Sequence, residues 1–379
     1  MVVKVMQINS GQKFGGVSSM ILNFYRNVDR DKIQFDFVAP KTSSFTSYKD
    51  EIIKMGGNIV ELKTTGNFIH RKIQFFKRLV SLMKKRDYDV VHVNSGSIFL
   101  NIQVSWLARY CGVKKIIAHS HNGGNDSKLL VFLTKLCKPL LEIGPTDYFA
   151  CSNSAAEFMF TKKRIKNKAY TVINNGVDVD KFRFNLEDRN EYRKKLSIEG
   201  KTTLLHVGRF APAKNHKKLV EVFSEYHKLN PQSVLLLAGE GELEDQVHNQ
   251  VELLGLKEDV FFLGLRKDIP QLMSAADVFM LPSFFEGLPV VGIEAQTNGL
   301  PCVFSDSITS EVNLNSLKNR FLSLTMTNVQ WSENINKLIN DGNIEGRENA
   351  YRTVIDKGYL LSDVGLKLQS NYLESDEVC

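Results

Sequence analysis

KTTLLHVG, residues 201–208, begins a second series of strand-like runs in a chain that has already completed one. A short apolar run that ends in glycine and gives way to a helical stretch reads as a parallel strand covered on both faces. Downstream the pattern recurs as SVLLLAG (233–239), VFFLGL (260–265), VFMLPS (278–283) and PCVFSD (301–306). Upstream stands the first series: VVKVMQIN (2–9), IQFDFVA (33–39), NIVEL (58–62), YDVVHVN (88–94), KKIIAHS (114–120) and DYFACS (147–152). Helical segments separate the members of each series, so the sequence predicts an α/β chain with two doubly wound domains. Its 379 residues agree, because single cores stop growing at roughly 250 to 300 residues.

The segment VINNGVDVDKFRFNLEDRNEYRKKLSIEGK (172–201) is turn-rich and charged, and it reads as the linker. The expected division is residues 1–180 and 181–357, with a last helix at 358–379 that packs back on the first domain. With 43% hydrophobic and 24% charged residues the composition is that of a soluble globular protein. Five scattered cysteines, Cys111, Cys137, Cys151, Cys302 and Cys379, show no C-x-x-C spacing. That argues against a disulfide framework and a thiolate metal site, and it suits a reducing cytosol. MVVKVMQINSG (1–11) turns polar by Gln7 and reads as a first strand rather than a signal peptide. A net charge of +7 is a modest bias that suits nucleotides, anionic lipid or no particular partner.

Ligands of open α/β sheets collect beyond the carboxyl ends of the strands, so the loops there carry the candidate chemistry. In NSGQKFGGVSSMILNFY (9–25), Gly11, Gly15 and Gly16 precede a helix, where backbone N–H groups can approach an anion; a plain tight turn is the alternative. AHSHN (118–122) carries His119 and His121, either a metal pair or structural histidines. HVGRFAPAKNHKKLV (206–220) exposes Arg209 and Lys214 before a helix, as a diphosphate clamp or a solvated basic loop. FFEGLPVVGIEAQ (284–296) places Glu286 before a Gly-Pro turn and Glu294 inside the helix that follows, with Pro289 at its first position. Two such carboxylates permit glycosidic acid–base work, metal binding or hydrogen bonding of sugar hydroxyls, and an unpaired inward acid is too costly to be incidental. Asp178 and Asp180 form a D-x-D that reads as a turn, and Gly239 with Gly241 form a further glycine loop.

Together, the glycine-rich first loop, G-R-x-x-x-x-K (Gly208, Arg209, Lys214), E-G-x-P-x-x-x-x-E (Glu286 to Glu294) and NNGVD (174–178) resemble the family 4 glycosyltransferases, over nearly the whole chain and in order. AHSHN and SDSITSEVNLNSLKNRFLSL (305–324) look most like the bacterial capsular and exopolysaccharide branch. The resemblance implies a GT-B fold, two Rossmann-like domains facing across a cleft. It also implies a retaining, metal-free transfer of a hexose or N-acetylhexosamine from a nucleotide sugar, a UDP-sugar, with no cofactor. Carried over by position, Arg209 and Lys214 hold the diphosphate, and Glu294 holds the ribose. Glu286 with Gly287 and Leu288 grips the donor sugar, Gly15 and Gly16 approach the diphosphate, and His121 stands beside the transferred sugar. Arg266 in LGLRKD (263–268) borders the base.

The implied acceptor is a saccharide carried on undecaprenol, with a cytoplasmic enzyme at the inner membrane face and no nucleic-acid partner. RKIQFFKRLVSLMKKRDYD (71–89) and KLLVFLTKLCKPLLEI (128–143) are amphipathic and basic, so each suits either an anionic membrane or the face of a sheet. Other readings are a nucleotide-sugar epimerase of the same architecture, a glycoside hydrolase using Glu286 and Glu294, and a silent nucleotide-sugar-binding partner subunit.

Overall fold

The structure, a computed structural model, describes residues 2–9, 16–39, 45, 48–122, 124, 127–314, 319–341 and 346–374. The chain divides into two compact units, one running to Gly176 and resuming at Leu361, the other spanning Val177–Leu360.

In the first unit β1 (Val3–Asn9), β2 (Ile33–Ala39), β3 (Asn58–Glu61), β4 (Val90–Asn94), β5 (Lys115–Ser120), β6 (Asp147–Ala150) and β7 (Thr171–Val172) form one sheet in the order β3-β2-β1-β4-β5-β6-β7. Every recorded pairing in it is parallel. Both faces are covered, which is why β4 and β5 are buried along their whole length. The two residues of β7 are too few to show a period, and the sequence reading placed one of them in the linker.

The helix Leu361–Leu373 belongs to this unit, burying Val364, Leu368 and Tyr372 in the same core as Phe35 and Phe37. Gly365 lets it lie close, since a Cβ there would stand 2.7 Å from the carbonyl oxygen of Asn27. The units part at 176/177 and 360/361 rather than at the expected 180/181 and 357/358. Val177 N donates to Tyr359 O at 2.8 Å, tying the residues on either side of the expected boundaries into the second unit.

In the second unit β8 (Thr202–Val207), β9 (Ser233–Ala238), β10 (Val260–Gly264), β11 (Val278–Leu281), β12 (Cys302–Ser305) and β13 (Asn319–Leu322) run parallel in the order β10-β9-β8-β11-β12-β13. β13 was not foreseen, because the half-polar NRFL carries little strand signal.

The expected linker is also corrected. The helix Leu186–Lys195 packs on the helix Ile269–Ala275 through charged residues. The Nη1 of Arg189 donates to the carbonyls of Ser274, Ala275 and Ala276 at 3.0, 3.1 and 2.9 Å, and its Nη2 meets Asp277 at 2.5 Å. A buried arginine satisfied by carbonyls reads in sequence as a solvated charge.

In each sheet the strand order reverses beside the first strand, between β1 and β4 and between β8 and β11. Those switch points open crevices at the carboxyl ends of the strands, where the candidate loops emerge.

Candidate functional site

In the second unit the loops after β8 and β11 leave from neighbouring strands and are stitched together. Phe284 N donates to Ala213 O at 2.8 Å, and Asn215 Nδ2 donates to Pro282 O at 3.2 Å. Asn215 adopts a left-handed conformation, φ 54°, and its side chain caps the helix His216–Leu229.

This stitching brings together two of the anticipated residues. Lys214 Nζ lies 2.6 Å from Glu286 Oε1, with side chains only 19% and 16% exposed. Ser283 Oγ donates to the same carboxylate oxygen at 2.8 Å, and Ser305 Oγ bonds the carbonyl of Ser283 from below. Glu286 is therefore held in place from two sides, with a cation on one of them.

Glu294 is different. It sits on the helix Val290–Thr297, half-buried, and its carboxylate carries no hydrogen bond or ion pair among the described residues. Pro289 caps that helix rather than opening it. Burial pushes the Glu294 carboxyl up to about 7, against a lesser downward pull from Lys181. An acid raised this far above its unfolded value opposes folding at every pH above that value, by about 3 kcal/mol from pH 7 upwards. Glu294→Gln is therefore expected to raise the unfolding free energy of the second unit at pH 8, measured by denaturant titration.

Arg209 does not share the buried position of Lys214. It is half-exposed and paired with Glu242 at 2.9 Å. Its loop is zipped to the glycine loop after β9, with Phe210 N donating to Glu240 O at 3.1 Å and Leu243 N to Phe210 O at 3.0 Å. A Cβ on Gly239 would stand 2.0 Å from Gly208 O, and one on Gly241 would stand 2.4 Å from Phe210 O, so the close approach requires both glycines.

Beneath these loops lie two histidines that the sequence reading missed. His206 Nδ1 donates to Met280 O at 2.8 Å, and His216 stacks on Phe210 with ring centroids 4.2 Å apart. Burial holds both neutral, His216 down to about 4. No local spacing signals such a floor.

Arg266 is clamped by Asp268, Nε to Oδ1 at 2.8 Å and Nη2 to Oδ2 at 2.5 Å, and Tyr192 donates to Asp268 at 2.9 Å. It lines a cavity of about 540 Å³ with Lys181, Leu265, Lys267, Asp268, Pro270 and Gln271. Lys181 thus serves both this cavity and the field at Glu294. Gly287 and Leu288 lead from Glu286 into the helix that carries Glu294.

In the first unit Gly15, like Gly11, lies outside the described residues. Gly16 starts the helix Gly16–Arg26 with open space where a Cβ would stand. His121 lies just past β5, half-buried, its Nε2 3.2 Å from Asn94 Oδ1 and its ring 3.9 Å from that of His119. His119 Nδ1 is taken by His92 Nε2 at 3.0 Å, and the His119 ring stacks on that of His92 while the His121 ring lies tilted at 40° to it. Burial holds all three rings neutral, His121 down to about 3. Asp178, the first acid of the D-x-D, caps the short helix Val179–Phe182 by accepting from Lys181 N at 3.1 Å, which is the turn role.

Residues 14–181 match the family described as Glycosyltransferase Family 4, and residues 188–355 match Glycosyl transferases group 1. EpsF of Bacillus subtilis (strain 168), a protein named as a glycosyltransferase, is 30% identical over 366 residues, 94% of this chain and 92% of that one. An Escherichia coli UDP-Gal:alpha-D-GlcNAc-diphosphoundecaprenol alpha-1,3-galactosyltransferase is 26% identical over 376 residues, covering 91% of this chain and 94% of its own. Among solved structures, Anabaena Alr3699/HepE in complex with UDP-glucose aligns with a TM-score of 0.80 at 18% identity, covering 97% of this chain and 98% of that chain.

Proposed function

Because the chain belongs to the glycosyltransferases, with a family 4 and a group 1 segment on the GT-B fold, we propose that it moves a hexose or N-acetylhexosamine from a UDP-sugar to a polyprenyl-linked saccharide. Polysaccharide assembly of the capsular or exopolysaccharide kind is the setting of this proposal, and the transfer retains the anomeric configuration. The observation that carries it is the Lys214–Glu286 pair at the switch point of the second sheet, with Glu294, its carboxylate unpartnered among the described residues, on the helix that follows. UDP-glucose in the Anabaena neighbour and the UDP-Gal and diphosphoundecaprenol of the E. coli relative support the donor and acceptor classes.

In this reading Lys214 and Arg209 neutralise the departing diphosphate. Breaking a glycosyl phosphate builds negative charge there, and a fixed cation stabilises that charge at little reorganisation cost. Glu286, already immobilised by Ser283, accepts from a donor-sugar hydroxyl with Gly287 and Leu288 beside it, and Glu294 accepts from the ribose hydroxyls. The cavity at Arg266 takes the base, Gly15 and Gly16 serve the diphosphate from the first domain, and His121 serves the sugar. With lysine and arginine supplying the positive charge, the transfer proceeds without metal or cofactor.

A hydrolase would use Glu286 as acid or base, and a carboxylate locked to Lys214 and Ser283 is poorly placed to exchange a proton. Calorimetric titration of UDP, GDP, ADP and their sugars with EDTA present tests the donor. UDP-sugar binding that survives chelation and is lost in Glu294→Gln is expected, whereas a folded chain that binds no nucleotide sinks the proposal.

We further propose that the first domain rests on an anionic bilayer. The helix Phe68–Arg86 carries less of the reading, since Phe75, Leu79 and Met83 bury its centre and end against the sheet and only Phe68, Ile69 and Ile73 near its start are exposed. The helix Lys128–Leu141 supports the reading better: Leu129, Phe132, Leu136, Leu140 and, just past its end, Ile143 form one exposed apolar stripe. Lys135 and Lys162 crowd Lys138, whose pKa is lowered first by burial and then by their charge, so the flank is basic. Co-flotation with phosphatidylglycerol vesicles is expected, and Phe132→Asp with Leu136→Asp should release at least about tenfold more protein. Equal recovery on phosphatidylcholine vesicles would count against a charged surface.

A further inference from the structure

Six polar side chains of the first unit, Gln7, His92, Asn94, His119, His121 and Tyr372, form one connected group, five of them fully buried. They come from three strands, the segment after β5 and the last helix. The direction of each bond follows from the acceptors available.

Asn94 Nδ2 lies 3.4 Å from the carbonyl of His92, which can only accept, so the amide nitrogen is on that side and Asn94 Oδ1 faces His121. The same Nδ2 donates to Gln7 Oε1 at 2.8 Å, which turns Gln7 Nε2 towards Tyr372 Oη, 2.8 Å away. Tyr372 accepts there, and His92 Nδ1 at 2.5 Å is the acceptor left within reach of its buried proton among the described residues, so we assign the O–H to that bond. His92 then donates from Nε2 to His119 Nδ1, and the proton of His119 sits on Nε2. Facing Asn94 Oδ1, His121 must carry its own proton on Nε2. Its Nδ1 has no hydrogen bond among the described residues.

We infer that Tyr372, acting with Gln7 and Asn94, is a positioning residue that fixes His121 in the Nε2–H tautomer and leaves Nδ1 as an acceptor for a substrate hydroxyl. The inference rests on the reading of His121 as a residue of the sugar-transfer site. It assigns His121 the task of orienting a hydroxyl rather than that of a cation facing the departing phosphate. Among the described residues the titratable groups bearing on these rings are one another and Tyr372, with no carboxylate to hold a proton on them. The last helix of the chain thereby acts on a residue at the end of the fifth strand, through hydrogen bonds that span the sheet.

Long-range proton–nitrogen NMR of the full chain labelled with 15N-histidine tests this, alongside the transfer assay. In the wild type at about pH 6, His92, His119 and His121 are expected to be neutral and protonated at Nε2. Tyr372→Phe removes the proton donated to His92 and the partner of Gln7 Nε2, so that Gln7 can turn and Asn94 is left to its long 3.4 Å contact with the His92 carbonyl. Mixed tautomers at His92 and His121 are expected, with kcat down about tenfold and donor KM within about twofold. Asn94→Asp should put a carboxylate against His121 Nε2, protonate the ring near neutral pH and place a new inflection in the kcat profile.

A wild-type His121 that is protonated at Nδ1 or charged at that pH overturns the inference, as does a Tyr372→Phe spectrum identical to wild type. The expected spectrum in a chain that transfers no sugar would refute the transferase reading and the substrate side of the inference, while the tautomer assignment would stand.

Discussion

Lys214→Ala is expected to lower kcat/KM for sugar transfer by about a thousandfold, the largest loss from any single substitution in the second domain. Two effects add. In the proposed transfer the departing diphosphate loses its buried cation, and Glu286 is left with only the hydroxyl of Ser283 in a mostly enclosed position. An orphaned carboxylate there costs stability as well, about 2 kcal/mol once its partial exposure is allowed for. Lys214→Met with Glu286→Gln should recover that stability and none of the activity, which separates the electrostatic role from the structural one. Arg209→Ala should cost far less, about ten- to a hundredfold, because its half-exposed guanidinium is screened by water and by Glu242. Steady-state kinetics with a defined donor and denaturant titration of the same variants provide the check. Activity within tenfold of wild type in Lys214→Ala would refute the diphosphate clamp.

On acidification the first domain is expected to unfold before the second. His92, His119 and His121 stay neutral in the folded first domain, whereas unfolded histidines protonate near 6.5. Stability from such groups is complete above the unfolded value and falls as pH drops below it, by about 2 kcal/mol per ring at pH 5. Three rings therefore remove about 6 kcal/mol there, a large part of a typical domain's stability.

The second domain has two such rings, His206 and His216, worth about 4 kcal/mol. It also has a compensating group. Glu294 opposes folding at neutral pH, and most of that cost, about 2 kcal/mol, disappears by pH 5 as the unfolded carboxylate approaches its own protonation. The net loss is small. One tryptophan lies in each unit, Trp106 in the first and the fully buried Trp331 in the second. Single-tryptophan variants followed by fluorescence from pH 7.5 to 4.5 should show Trp106 responding first. Coincident transitions, or an earlier one at Trp331, would contradict the burial argument.

Local residue order determined much of this molecule. The eleven strand runs read from the sequence all form, because a parallel strand buried on both faces must be a continuous apolar run whatever surrounds it. Arg209, Lys214, Glu286 and Glu294 were also legible, since each leaves a strand end or enters a helix at short spacing.

Tertiary structure alone decided the rest. The polar stretch 186–195 is an integral helix because carbonyls at the end of a distant helix accept from Arg189, and no periodicity carries that information. The amphipathic helix 68–86 buries Phe75, Leu79 and Met83 against the sheet while 128–141 leaves its apolar stripe open, although their sequences look alike, because only packing determines which apolar face finds a sheet. The state of His121 lies furthest from sequence. It depends on Gln7 and Tyr372, 365 positions apart, meeting in a space too dry for either to bond water. A hydrogen bond's direction is set by what lies at its other end, and folding alone brings those ends together.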